Sequence, residues 1–207
     1  MKFYQLVSFT AFLICLISLS YHFFRLVKLG SPKDYSSKIG NLYSAIPYSF
    51  IGAMNPLKKE SAYLHYPTYA AGILYHSGTF ISFILYFLFL FSFSFSDFLQ
   101  YILICGLAVS IASGIGIFIK RVSLKKLRYL SCPDDYISNL LVTAFQIFTL
   151  LATISESNAT YYNIGAALLF LYLPLGKLKH SLYFFAARFH LGYYYGWRGI
   201  WPVKNHK

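Results

Sequence analysis

The sequence contains few charged residues and few cysteines. Asp, Glu, Lys and Arg make up 12% of the 207 residues, about half of their usual share in soluble domains. Hydrophobic residues make up 57% of the chain, and a soluble fold of this size could not bury so much apolar surface. The composition therefore excludes a cytosolic enzyme, a disordered protein and a secreted scaffold held by disulfides.

The three cysteines do not form a recognisable motif. Cys15 and Cys105 lie within long apolar runs, and Cys132 lies in a polar segment. Their spacing matches neither a metal-binding motif nor a disulfide framework. We interpret them as small, buried apolar residues.

The charge is strongly unbalanced, with 18 Lys and Arg against 6 Asp and Glu and a net charge of +12. The basic residues lie at the ends of long apolar runs and do not form one continuous face, so the pattern argues against nucleic-acid binding. A lipid bilayer explains both the apolar content and the placement of the charges. We therefore predict a protein of the membrane, in contact with lipid.

Five segments are apolar over about 20 residues, the length that a transmembrane helix needs. The first segment could instead be a cleaved signal peptide, but it lacks a clear cleavage site and is long for one. Over residues 1–207 we predict a single, all-α membrane domain, a bundle of five transmembrane helices. The predicted helices cover about residues 3–24, 67–95, 98–119, 136–155 and 161–190. Pro133, Asp134 and Asp135 come just before the fourth and are typical of a helix start.

Lysine and arginine in the connecting segments indicate the orientation. They are concentrated in the loop 25–63, in residues 120–128 and in the tail 191–207, whereas the turns at 94–97 and 156–163 have none. Basic loops stay on the cytoplasmic side. With five spans, this pattern predicts an outer N-terminus and a cytoplasmic C-terminus in the cell membrane, although Lys2 argues the other way.

Histidines occur on two of the predicted helices at similar spacing. His65 and His76 are eleven residues apart on the second helix, and His180 and His190 are ten apart on the fifth. Both spacings correspond to a rise of about 15–16 Å. In antiparallel helices, His65 would face His190 near the cytoplasmic surface and His76 would face His180 at greater depth. This arrangement suits the axial ligands of two stacked b-type haems, although packing or interfacial roles remain open.

Three basic residues accompany the histidines of the fifth predicted helix. Lys177 and Lys179 precede His180 well inside the predicted span, and Arg188 precedes His190. A lysine at mid-membrane is costly and requires a polar or anionic partner, for which haem propionates or a quinone oxygen would serve. Snorkelling to the interface is the alternative. The ten-residue spacing on this helix also requires a bend, which Pro174 could provide.

Two motifs resemble a known family. The stretch LHYPTYAAGILYHSG over residues 64–78 and the stretch LPLGKLKH over residues 173–180 resemble helices two and five of membrane cytochrome b subunits of the nitrate reductase gamma type. Residues 188–192 and 196–199 with Pro202 are similar to a subgroup, the cytochrome b subunits of heterodisulfide reductase and of a sulfite-reduction-associated complex.

The resemblance implies an electron-transfer subunit with no bond-making active site of its own. It would exchange electrons with a membrane quinone or a methanophenazine-like carrier, and with a cytoplasmic iron–sulfur or catalytic subunit. His76 and His180 lie in the matching motifs, and His65 fits the subgroup. The gamma-type pattern has a further histidine where this chain has Tyr86, and another near the place of Arg198.

Several alternatives therefore remain. The similar histidine spacings on the second and fifth predicted helices predict two b-type haems, whereas the histidine positions of the gamma-type pattern would leave one. A haem-free membrane anchor of such a complex would need only packed helices and a cytoplasmic surface. A small transporter could use Lys177, Lys179 and His180, but the sequence lacks the repeat symmetry that is typical of transporters.

Overall fold

The computed structural model describes residues 2–29, 35–55 and 64–203, and within these ranges the chain is helical, with no β-strand. Short 3₁₀ helices at Gly52–Met54, Glu156–Asn158 and Lys177–Lys179 connect some of the α-helices. The α-helices are α1 (Phe3–Leu29), α2 (Leu42–Phe50), α3 (Tyr66–Leu90), α4 (Asp97–Ser123), α5 (Lys125–Tyr129), α6 (Pro133–Ile154), α7 (Ala159–Tyr172) and α8 (His180–Trp197).

Four of these helices, α1, α3, α4 and α6, are long and apolar enough to cross a membrane. They correspond to the first four predicted spans, which are confirmed as long apolar helices, with ends moved by a few residues. The expected start of the fourth is also confirmed, because α6 begins at Pro133 and the Asp135 carboxylate accepts the Cys132 N–H at 2.9 Å. The chain is thus a helical membrane protein.

The prediction of one continuous fifth helix over residues 161–190 is wrong. The structure has two helices there, α7 and α8, separated by residues 173–179. Pro174 disfavours continuation of the helix, because it lacks an N–H and clashes with the preceding turn. The Tyr172 carbonyl instead accepts the N–H groups of Leu175 and Gly176. The expected bend at Pro174 is therefore a helix end.

The chain packs as two compact units. The first unit combines Met1–Ser18 with Pro67–Leu178 and contains α3 to α7 with the first part of α1. The second unit combines Leu19–Tyr66 with Lys179–Lys207 and contains α2, α8 and the rest of α1.

In the first unit, α7 runs antiparallel to α6. The Asn158 side chain donates to the Leu151 carbonyl at 3.0 Å, and the Lys177 N–H donates to Asp134 Oδ2 at 2.6 Å. The two acceptors lie about 26 Å apart along α6. The chain therefore returns from the end of α6 to its start, even though the 14 residues of α7 are only about 21 Å long.

Aromatic rings fill the interior of the first unit. Tyr86 and Tyr162 are almost fully buried, as are Phe145 and Phe170. The Tyr86 and Phe170 rings meet edge to face at 5.0 Å, and the Phe145 and Tyr162 rings stack at 5.8 Å. Such ring pairs stabilise the fold by more than the burial of their apolar area alone.

In the second unit, α2 packs on α8 through glycines. A Cβ added at Gly192 would collide with the Ile46 backbone, and one added at Gly196 would collide with the Ala45 side chain. The Ser49 hydroxyl donates to the Arg188 carbonyl at 2.6 Å. The two helices are distant in the sequence but form a close antiparallel pair. We call this pair the α2–α8 hairpin.

Candidate cofactor site

His76 lies on the surface of α3, about 15 Å from the start of that helix. Its neighbour Tyr75 is buried, donates a hydrogen bond to the Asn139 carbonyl at 3.0 Å and shares another with Thr143 Oγ1 at 2.9 Å. Tyr75 therefore faces α6, whereas the His76 imidazole is exposed on the outside of the unit.

The surface beside His76 is open at Gly72, one helical turn earlier. A Cβ added at Gly72 would meet no atom within 4 Å. Gly78 and Gly114 differ, because an added Cβ would collide with the Ser110 side chain and the Tyr75 ring, respectively. These two glycines serve helix packing, whereas Gly72 leaves room for a flat group next to an imidazole. The donor chemistry and this open surface fit a haem.

A buried polar network holds the segment of α3 that carries His76. The Gln146 Nε2 donates to the Tyr75 carbonyl at 3.1 Å and to Thr79 Oγ1 at 2.8 Å, and its Oε1 accepts from the Ser110 hydroxyl at 2.8 Å. The network joins α3, α4 and α6. Sequence reasoning missed it, although a glutamine in the middle of an apolar span is a usable signal.

The other three predicted ligands also have exposed side chains. His65 lies in the turn before α3, His180 is the first residue of α8, and His190 lies in the second half of α8. His65, His180 and His190 belong to the second unit, and His76 belongs to the first. How the four histidines pair stays a prediction.

No three His, Cys, Asp or Glu side chains among the described residues are grouped so that they could hold a metal ion. This finding concerns metal ions that the protein alone coordinates. A haem iron takes at most two protein ligands, because the porphyrin supplies the other four.

Lys177 lies at the end of the first unit, in a cluster of charges. Both Lys177 and Lys179 were expected well inside a span, but they lie in a 3₁₀ turn, because the preceding helix ends at Tyr172. The Lys177 Nζ is 2.8 Å from Asp135 Oδ2, and the Arg121 Nη1 is 3.2 Å from Asp135 Oδ1. The hydrogen bond to Asp135 raises the pKa of Lys177 above its ordinary value.

Asp134 completes this cluster by binding the turn that follows α7. Its carboxylate accepts hydrogen bonds from the Tyr172 hydroxyl and from the Lys177 N–H. Sequence reasoning missed the role of both carboxylates beyond the helix start. The available signal was that they are two of only six acidic residues in the chain.

Two further residues named in the sequence analysis have well-defined surroundings. The Arg188 guanidinium lies 5.6 Å from the centre of the Phe184 ring, within the second unit. Tyr86 is 1% exposed, and its hydroxyl donates at 3.0 Å to Ser8, which donates at 2.7 Å to Asn163. Tyr86 is thus a packed tyrosine in the interior of the first unit.

We compared the chain with models of known protein families, with curated proteins and with solved structures, and none of them matches.

Proposed function

We propose that this chain is a membrane cytochrome b subunit, which carries electrons between a membrane carrier and a cytoplasmic partner. The exposed imidazole of His76, about halfway along α3, is the observation that supports it most directly. An ionisable side chain within a membrane span is a functional candidate, and an imidazole is a common haem ligand. A haem bound there would lie beside the open helix surface at Gly72.

The proposed ligands are the imidazoles of His65, His76, His180 and His190. Four of them suffice for two b-type haems, and a single haem would need only two. When bound, haem supplies one-electron chemistry, with a potential that depends on its ligands, burial and nearby charge. The Gln146 network holds the turn of α3 on which His76 sits.

For the topology, we propose that α7 makes the fifth crossing of the cell membrane. The N-terminus would then lie outside, and the C-terminus in the cytoplasm. The segment 120–128, which is rich in Lys and Arg, would face the cytoplasm and attract an acidic iron–sulfur or catalytic subunit. A quinone or a methanophenazine-like carrier would exchange electrons within the membrane.

A reduced-minus-oxidised visible spectrum of the purified full chain tests this proposal. We expect a sharp b-type α-band, with about two haems per chain if both histidine pairs bind and about one if only one pair does. The variant H76A should lose haem in either case. A matched control is H22A, because His22 lies near the end of α1 and is not a proposed ligand.

The outcomes separate the alternatives. A folded wild-type chain without haem would overturn the proposal and would favour a haem-free anchor. Full haem content in H76A would overturn the role of His76. If one of H65A, H180A and H190A also loses haem while the other two keep it, the chain binds a single haem through His76 and that histidine.

A further inference from the structure

The polarity of α8 sets it apart from the four apolar helices. It is 18 residues long, but it is not apolar enough to be one of the helices that can cross a membrane. It carries His180, Arg188 and His190 within its length. Its arginine, histidines, tyrosines and tryptophan suit the headgroup region of a membrane better than the hydrocarbon core.

The chain enters α8 from a defined end of the first unit. Lys177 is bound to Asp134 and Asp135 at the start of α6, and His180 follows three residues later. Arg121, which lies in the basic segment 120–128, contacts the Asp135 carboxylate as well. By the proposed topology, α8 therefore starts at the cytoplasmic surface of the membrane.

The α2–α8 hairpin is held together firmly at its far end. The Trp197 carbonyl accepts the N–H groups of Ile39 and Gly40, and its indole N–H donates to the Ser36 carbonyl at 2.9 Å. The Trp201 ring lies 4.7 Å from that of Tyr195 and 5.6 Å from that of Tyr48. This end of the hairpin is thus rich in aromatic rings, which favour the headgroup region of membranes.

The hairpin also has a charge of one sign. The described residues of the second unit include no Asp or Glu. Arg188 lies over the Phe184 ring, and Arg198 lies 3.7 Å from the centre of the Tyr194 ring. Each guanidinium thus lies over the ring four residues earlier, and Arg198 Nη1 also donates to the Tyr194 carbonyl at 3.1 Å. A guanidinium binds phosphate oxygens in a bidentate manner.

We propose that the α2–α8 hairpin lies in the cytoplasmic headgroup layer and binds the phosphates of anionic phospholipids through Arg188 and Arg198. The charge complementarity, the aromatic surface and the low apolarity of α8 all favour a lipid surface. This proposal goes beyond electron transfer and does not depend on haem. It would hold equally for a haem-free anchor.

Spin-label depth measurements on the full chain test the position of α8. Nitroxides are placed at Tyr183, Ala187 and Leu191, which follow each other at four-residue intervals along one face, after Cys15, Cys105 and Cys132 are replaced. We expect all three labels at nearly equal, shallow depths, about 5–10 Å into the bilayer. A spanning helix would spread them over about 12 Å.

Exposed positions on α3 provide the matched control. The side chains of Ile73, Phe80 and Ile84 are all exposed on the surface of the chain. Labels at these positions should spread over about 16 Å of depth. Graded depths along α8 would overturn the proposal. Labels that sit in water would overturn it too, and would indicate a docking face for a soluble protein.

Lipid selectivity tests the two arginines. The probes are spin-labelled phosphatidylglycerol and phosphatidylcholine in nanodiscs that contain the full chain. We expect the double variant R188Q/R198Q to lose about tenfold or more of its preference for phosphatidylglycerol. The control K125Q/K126Q removes the same charge elsewhere and should keep most of that preference. An unchanged preference in R188Q/R198Q would overturn the proposal.

Discussion

The two units of this chain are held together by different kinds of contact. In the first unit, long helices bury aromatic rings and hydrogen-bonded side chains such as Gln146 and Tyr75. In the second, α2 and α8 approach so closely at Gly192 and Gly196 that backbone meets backbone or a small side chain. The first unit is thus held together by the buried interior between long apolar helices. The second is held together by the close approach of two helices at glycines.

The units also differ in charge. The first contains Asp97, Asp134, Asp135 and Glu156, and one of these four, Asp135, forms ion pairs with both Lys177 and Arg121 at one end. The charged residues in the described part of the second unit are all basic. Opposite charges therefore contribute to the stability of the first unit, whereas the charges in the described part of the second unit are all of one sign.

The largest effect is expected where backbone meets backbone. In G192A, the added methyl group would collide with the Ile46 backbone, and we expect a loss of about 1–3 kcal/mol in the stability of the hairpin. The chain's two tryptophans, Trp197 and Trp201, both lie in the second unit. Thermal unfolding followed by tryptophan fluorescence therefore reports on this unit selectively.

The matched control for that prediction is G106A in the first unit. A Cβ at Gly106 meets nothing within 4 Å, so the same added methyl group should cost nothing, and it should favour the helix by about 0.5–1 kcal/mol. Equal unfolding temperatures for wild type and G192A would show that the close approach at Gly192 is not what holds the hairpin.

A smaller effect is expected from the polar network of the first unit. In Q146L, the Ser110 hydroxyl, Thr79 hydroxyl and Tyr75 carbonyl lose their bonds to the amide. We expect a cost of about 1 kcal/mol, because the Thr79 and Ser110 hydroxyls still donate to the Tyr75 carbonyl. Unfolding followed by circular dichroism should shift, while the tryptophan-reported transition of the second unit stays in place.

The control for Q146L is T10V. Thr10 is exposed and bonds only to the carbonyl one turn earlier in its own helix, so its loss should be nearly neutral. A Q146L chain as stable as T10V would mean that the network adds specificity to the packing of α3, α4 and α6 but no net stability.

The difference between the units also explains what sequence reasoning could predict. Apolar length is a local property, and it correctly identified the four long helices; the dipeptide Asp134–Asp135 after Pro133 correctly marked the start of α6. The same reasoning joined α7 and α8, because average composition over 161–190 hides the break at Pro174. The packing of Gly192 on Ile46 is a contact between distant segments and leaves no local pattern.

The candidate site shows the same limit. The sequence pointed to His76 as a candidate, because a histidine in an apolar span is unusual. Which way the ring faces depends on Tyr75, whose hydroxyl reaches α6 some 64 residues away in the chain. The partner of Lys177 could not be read from the sequence either, since Asp135 precedes it by 42 residues.

The smallest effect is expected at the ion pairs of Asp135. In D135N, the side chain can still accept the Cys132 N–H that caps α6, but it loses its charge toward Lys177 and Arg121. Both basic partners are partly exposed, so we expect a cost of at most about 1 kcal/mol. A double-mutant cycle with K177Q should give a coupling of about 0.3–1 kcal/mol that weakens with added salt. A coupling as large as the G192A effect would mean that a charge contact at the end of the first unit matters as much as the backbone contact inside the second, and the two units would then differ less than their packing indicates.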